Sequence, residues 1–230
     1  MISTRDNCVF VHIPKVAGQS IESVFLERAN LTWQQRENML LRHNEDPKLG
    51  PPRLAHLTAQ EYISLGYLSS EAFNNMVTFT FVRNPWDRLV SEYLYRKYPY
   101  SFKDFLYKFF PKKCDDNYAK GQDLYRHVMP QVDFILDKQG NSMVDYIGKF
   151  ENLTEDFANV TKLITGKSLF LPHKNKTSKN KLQQFLKLYS SNKQHYSSYY
   201  DDESQLMVAN LYQQDIVLFN YTFERLTDQK

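Results

Sequence analysis

The run Met76-Val-Thr-Phe-Thr-Phe-Val-Arg83 constrains the fold more than any other stretch of the chain. Its aromatic and β-branched residues favour a strand. Its apolar side chains fall on both faces, so the run predicts a central parallel strand covered by helices on each side. Asn84-Pro85 ends it, because proline cannot donate to a ladder and restricts the residue before it. Residues 86–97 then read as a helix carrying Leu89, Val90, Tyr93 and Leu94.

A second unit of the same kind stands about 70 residues earlier. Residues 8–13 read as a strand that stops at Pro14, and residues 18–28 as a helix with Ile21, Val24 and Phe25 on one face. Further along, residues 58–65, 70–75, 102–109 and 121–129 suggest short helices. Residues 145–150 suggest a third strand, 153–165 a helix, and 202–219 one closing helix. Residues 44–54 are polar and contain Pro and Gly, which marks a loop. Each strand–loop–helix unit carries a basic residue at the carboxyl end of its strand. That is an α/β pattern with a ligand expected at those ends. With 230 residues, one domain over 1–230 is expected.

Composition narrows the function classes. Apolar residues make up 42%, enough for a substantial core. The 29 basic residues are balanced by 26 acids, and a net charge of +3 argues against nucleic acid as a partner. Cys8 and Cys114 form neither a disulfide framework nor a metal-ligand spacing, and no metal is implied. No secretory signal or membrane-length apolar stretch is seen, so a cytoplasmic protein is expected.

The loop Ile13-Pro-Lys-Val-Ala-Gly-Gln-Ser-Ile21 carries the first chemistry. Backbone N–H groups at a helix start lack intrahelical partners, and the helix dipole adds positive charge there. Such a site suits phosphate or sulfate. Gly18 would allow close approach of the backbone, Lys15 adds a point charge, and Gln19 and Ser20 add donors. A plain strand-to-helix turn with a solvated lysine is the alternative. The loop lacks the Gly-Lys-Ser/Thr ending of a nucleotide loop. The Gly166-Lys-Ser168 triplet has neither the upstream glycine nor a preceding strand that a nucleotide loop requires. In the second unit, Arg83 offers a planar fork and Ser91 a hydroxyl, both suited to phosphate. Alone, Arg83 would equally serve as a salt-bridge partner at a strand end.

Taken together, Ile13-Pro14-Lys15…Gly18…Ser20 and Arg83-Asn84-Pro85…Arg88…Ser91 resemble the sulfotransferases that use 3′-phosphoadenosine 5′-phosphosulfate. The likeness is to the carbohydrate-type branch that includes the uronyl 2-O-sulfotransferases. It extends to Gly148-Lys-Phe-Glu-Asn-Leu153, Leu171-Pro-His-Lys-Asn175 and Asp215-Ile…Phe219-Asn-Tyr221, with Asn220 where a glycine is common. The resemblance implies a three-layer, P-loop-like α/β fold with a central parallel sheet flanked by helices. It implies a 5′-phosphosulfate held by Lys15, Val16, Ala17, Gly18, Gln19, Ser20 and Ile21, and a 3′-phosphate read by Arg83 and Ser91. Lys174 and Lys176, in the acid-free run 173–181, would add to the 3′-phosphate side.

For such a transfer, Lys15 would meet charge developing on the departing adenosine 3′,5′-bisphosphate. A histidine would take the proton of the acceptor hydroxyl. His56 leads by its place between the two units, which matches the position of the base segment in the carbohydrate branch. His12 follows, although its strand position suggests a structural role. His43 and Glu61 stand further out, while His127, His173 and His195 read as surface or structural residues. The acceptor is expected to be a hydroxyl of a glycan or of a small molecule, with small alcohols, phenols and specialised metabolites all open. Two rivals are a non-catalytic nucleotide- or glycan-binding protein on the same fold and a kinase-like nucleotide enzyme.

Overall fold

A computed structural model describes residues 1–171 and 194–225. The sequence expectations at Lys174, Lys176 and His173 lie outside the described residues. A four-stranded sheet, in the order β1 (Ile2–Ser3), β2 (Cys8–Phe10), β3 (Val77–Val82) and β4 (Tyr146–Lys149), forms the centre. β2, β3 and β4 run parallel, with Cys8 opposite Val77 and Phe79 opposite Tyr146. β1 pairs antiparallel with β2, so the sheet is mixed rather than wholly parallel. An antiparallel edge on a parallel sheet needs only a short hairpin, here across residues 4–7.

β3 is buried from Thr78 to Val82, as its two-faced apolar sequence requires. Phe79 and Phe81 are fully enclosed, each contributing about 1.5–3 kcal/mol by burial. A Cβ at Gly148 would lie 2.5 Å from the Phe81 ring, which explains a glycine within β4. Helix α1 (Gly18–Arg28) lays Ile21 and Phe25 into this core. α2 (Ala59–Ser64) adds Tyr62, and α3 (Ser70–Asn74) adds Phe73. α2 starts on a reciprocal cap between Thr58 and Glu61.

α4 (Pro85–Arg96) follows β3 after two residues of turn, Arg83 and Asn84. Asn84 caps it by accepting from the Trp86 N–H at 3.2 Å, and Pro85 takes the first helical position, where no N–H is needed. A second apolar cluster forms where Trp86, Leu89 and Val90 of α4 meet Phe102 and Phe105 of α5 (Phe102–Tyr107). α6 (Leu124–Val128) and α7 (Val132–Ile135) lead into β4, and α8 (Leu153–Thr165) packs back on the sheet through Phe157 and Val160.

The closing segment is two helices, Asp202–Leu211 and Gln213–Phe219, not one. The break falls at Tyr212 (φ −114°), whose hydroxyl donates to the Val128 carbonyl. A tertiary bond has overridden a continuous helical pattern. Among the described residues, no helix is long and apolar enough to cross a membrane.

Candidate active site

The loop between β2 and α1 departs from ordinary backbone at two non-glycine residues. Lys15 and Ala17 have φ values of 76° and 66°. Left-handed residues cost free energy and persist only where surroundings hold them. Two buried arginines do so. The Arg88 Nε–H donates to the Pro14 carbonyl at 3.2 Å, and Arg83 Nη1 donates to the Lys15 carbonyl at 2.8 Å. The loop's carbonyl dipoles are thus turned inward onto guanidinium groups. At the head of α1, Ala17 supplies no side-chain cap, which leaves the helix start to an outside acceptor. Gly18 is required by proximity: a Cβ there would lie 1.9 Å from His12 Nε2.

Arg83 and Arg88 are both fully buried, yet they differ in their partners. The Arg83 Nε–H donates to Asp87 at 2.8 Å, and its guanidinium lies 4.0 Å from the Phe150 ring centre. Arg88 also donates to the carbonyls of Met129 and His127, at 2.9 and 3.1 Å. It therefore acts as a clamp between the loop and the α6–α7 corner. One turn on, Ser91 is buried, and its Oγ has no hydrogen-bond partner among the described residues. Buried polar atoms are rarely left so, and such an atom marks a place for a ligand or water.

Beneath the loop the fold assembles a group of imidazoles and carboxylates. His12 Nδ1 lies 2.6 Å from Glu22, and its ring stands edge-on to His56 at 4.5 Å. The His56 Nδ1–H donates to the His12 carbonyl at 2.9 Å, which leaves Nε2 with its lone pair. His127 Nδ1 pairs with Glu92 at 2.7 Å, and Glu92 also accepts from Arg96 at 2.6 Å. Asp123, fully buried, lies between the other ring nitrogens, 3.8 Å from His56 Nε2 and 3.4 Å from His127 Nε2.

The electrostatics follow from this packing. Burial, with His12 and His127 adding to it, keeps His56 neutral well below the usual imidazole range. Burial also opposes charge on His127, but Glu92 and Asp123 outweigh it and raise its affinity for a proton. Glu92 is driven down to about 2: burial works against its charge, while His127, Arg96 and Lys15 together prevail. Burial lowers Lys15 to about 7, helped by Arg83, Arg96 and Arg88 and resisted by Glu92. Its Nζ sits 3.7 Å from the centre of the Tyr95 ring, which in turn stacks on His127 at 6.2 Å.

A cleft of about 100 Å³ opens against His56, His12 and Gln19, with Trp33, Arg42 and Arg53 among its other walls. A larger cavity of about 230 Å³ lies beyond Asn84 and Asp87. Asp87, Glu151 and Glu224 line it with Lys149, so its charge suits a polyanion less well. The structure brings Lys15, Arg83 and His56 to one end of the sheet. His127 is not a surface residue: it is buried between two carboxylates. Glu61 is occupied by its cap to Thr58 and a bidentate pair with Arg126. His43 is exposed on the cleft wall. Sequence reasoning missed Asp123 and Glu92. The spacing of Asp123 and His127, one helical turn apart, was the available signal.

Comparison with known proteins identifies the family. An uncharacterized protein of Archaeoglobus fulgidus is 33% identical over 103 residues, covering 42% of this chain and 74% of that protein. No solved structure matches the chain. The model of the Sulfotransferase family matches residues 1–222, so nearly the whole fold just described falls within it, and the chain belongs to the sulfotransferase family.

Proposed function

We propose that this chain transfers a sulfuryl group from 3′-phosphoadenosine 5′-phosphosulfate to a hydroxyl of a carbohydrate or small metabolite. Family membership supports sulfuryl transfer in general. The observation that carries the donor assignment is the contact between the two anion-binding units. Arg83 donates to the Lys15 carbonyl at 2.8 Å, which supports reading the two units as the two ends of one site for a doubly phosphorylated nucleotide. The partnerless Ser91 Oγ and the uncapped start of α1 fit phosphate oxygens.

In this reading Lys15, Val16, Ala17, Gly18, Gln19, Ser20 and Ile21 hold the 5′ side, and Arg83 with Ser91 holds the 3′-phosphate. The donor supplies an electrophilic sulfur and a good leaving group. Lys15 and the loop N–H groups stabilise negative charge that grows on the departing 5′ oxygen. His56 Nε2 accepts the acceptor's proton, and the hydrogen bond to the His12 carbonyl fixes the tautomer for that task. The acceptor enters by the cleft on which His56 opens. Trp33 offers it an apolar face, and Arg42 and Arg53 favour a negatively charged sugar, in keeping with the carbohydrate-type branch.

Two measurements test the assignment. Adenosine 3′,5′-bisphosphate should bind at least ~10-fold more tightly than AMP or ADP, the 3′-phosphate being read by charge-assisted bonds. Equal affinities would remove Arg83 and Ser91 from the donor site. A labelled-sulfate transfer screen over glycans, phenols and small alcohols should give a product whose formation falls ~100-fold or more in His56→Ala. Wild-type turnover in that variant would exclude His56 as the base.

A further inference from the structure

We propose that His56, Asp123 and His127 form a binding site for a divalent first-row transition ion of the zinc type. All three are buried, and their candidate ligand atoms lie within 4.8 Å of one another. The separations carry the argument. His127 Nε2 is 3.4 Å from Asp123 Oδ1, and His56 Nε2 is 3.8 Å from Oδ2. Elsewhere in the same group, imidazole–carboxylate pairs close to 2.6 Å at His12–Glu22 and 2.7 Å at His127–Glu92. The Asp123 distances are too long for such bonds. Ligands bound tetrahedrally at about 2.1 Å from a shared ion stand about 3.4 Å apart, which matches His127 Nε2 to Asp123 Oδ1, while His56 Nε2, 3.8 Å from Oδ2, would move slightly inward to join them.

The hydrogen bonds around the site point the same way. His56 commits Nδ1 to the His12 carbonyl, and His127 commits Nδ1 to Glu92. Each ring therefore turns Nε2 toward Asp123 from a fixed orientation, the outer arrangement found around metal-bound histidines. Neither Asp123 oxygen has a hydrogen-bond partner among the described residues, although both are buried. Arg53 Nε is 3.8 Å away, but its N–H is donated to the Gly121 carbonyl at 3.0 Å. The competing arrangement is a protonated His127 bridging Glu92 and Asp123. Both carboxylates favour a proton on His127, yet its Nε2 stands 3.4 Å from Asp123, farther than the 2.7 Å between Nδ1 and Glu92, and an ion entering between Nε2 and Asp123 would take that proton's place. His56 lines the cleft, which gives an ion a way in and leaves a further coordination position for water.

The site stands on geometry and does not require the sulfuryl-transfer reading. It does constrain it: coordination uses the same lone pair on His56 Nε2 that would take a proton. The metal-loaded and base-competent states of His56 are therefore exclusive.

The test uses tag-free full-length protein, stripped with chelator and dialysed against zinc, with cobalt as the spectroscopic probe. One equivalent of zinc should bind with a Kd below ~1 µM, and cobalt should give visible bands of nitrogen and oxygen ligation. Asp123→Asn and His127→Gln should each weaken binding ~100-fold or more, and Glu92→Gln ~10–100-fold. His43→Ala and Cys114→Ser should leave it unchanged. Lack of stoichiometric zinc, a thiolate-to-cobalt band, or folded Asp123→Asn and His127→Gln variants that bind as wild type would each overturn the proposal. If those variants fail to fold, the cobalt spectrum of the wild-type protein decides. Donor affinity is read separately, so failure of the metal site leaves the nucleotide assignment standing.

Discussion

Arg83 Nη1 and the Lys15 carbonyl oxygen are 2.8 Å apart, joining the loops that follow two neighbouring parallel strands. The same guanidinium holds Asp87. Arg83→Lys keeps the charge but not the planar fork, and an ammonium cannot serve both partners in that geometry. Loss of such a buried bond costs about 1–3 kcal/mol. Titration calorimetry should show adenosine 3′,5′-bisphosphate binding roughly 10- to 100-fold more weakly. An unchanged Kd would uncouple the two loops.

Ser91 separates folding from binding. Its hydroxyl bonds to nothing among the described residues, so Ser91→Ala should shift stability by less than about 0.5 kcal/mol in urea unfolding. Bisphosphate affinity should nonetheless fall by about 1 kcal/mol, close to fivefold. A large stability loss with unaltered affinity would make Ser91 a structural residue.

Gly18→Ala places a methyl 1.9 Å from the present position of His12 Nε2. His12 must move and strain its contact with Glu22, at a cost of about 1–3 kcal/mol. Combining the change with His12→Ala removes the clash, so the double variant should lose less stability than the two single losses added together. Strict additivity in denaturant unfolding would count against this contact.

The lysine of the loop should make donor binding depend on pH. In the free protein, burial lowers Lys15 to about 7. A bound anion favours the ammonium and raises that value, so affinity is greatest below pH 7. It should weaken as pH climbs above 7 and the free-state amine loses its proton. Calorimetry at pH 7.5 in buffers of different ionisation heat should therefore report proton uptake on binding bisphosphate, an uptake abolished in Lys15→Met. Proton release, or none, would contradict the buried-amine account.

Much of this architecture is legible from local pattern. α1 spans 18–28 and α8 spans 153–165, as their apolar spacing predicts, because each helix is long enough for periodicity to declare itself. β3 is announced by its two-faced apolar run. β1, only two residues long, is too short to show a period, and it is defined by its partner strand. The break at Tyr212 arises from a bond to Val128, 84 residues away, which no local window contains. The same holds at the site. Lys15 and Arg83 can be picked out because each follows a recognisable strand. The convergence of His56, Asp123 and His127 exists only once α6 has been folded back beneath the loop by Arg88.

That clamp has a bearing on rigidity. Arg88 grips Pro14 on one wall and His127 with Met129 on the other, all through main-chain oxygens. The loop after β2 and the corner between α6 and α7 are therefore tied together by one buried internal strut. Shifting one against the other would mean breaking those buried bonds rather than altering side chains at the surface.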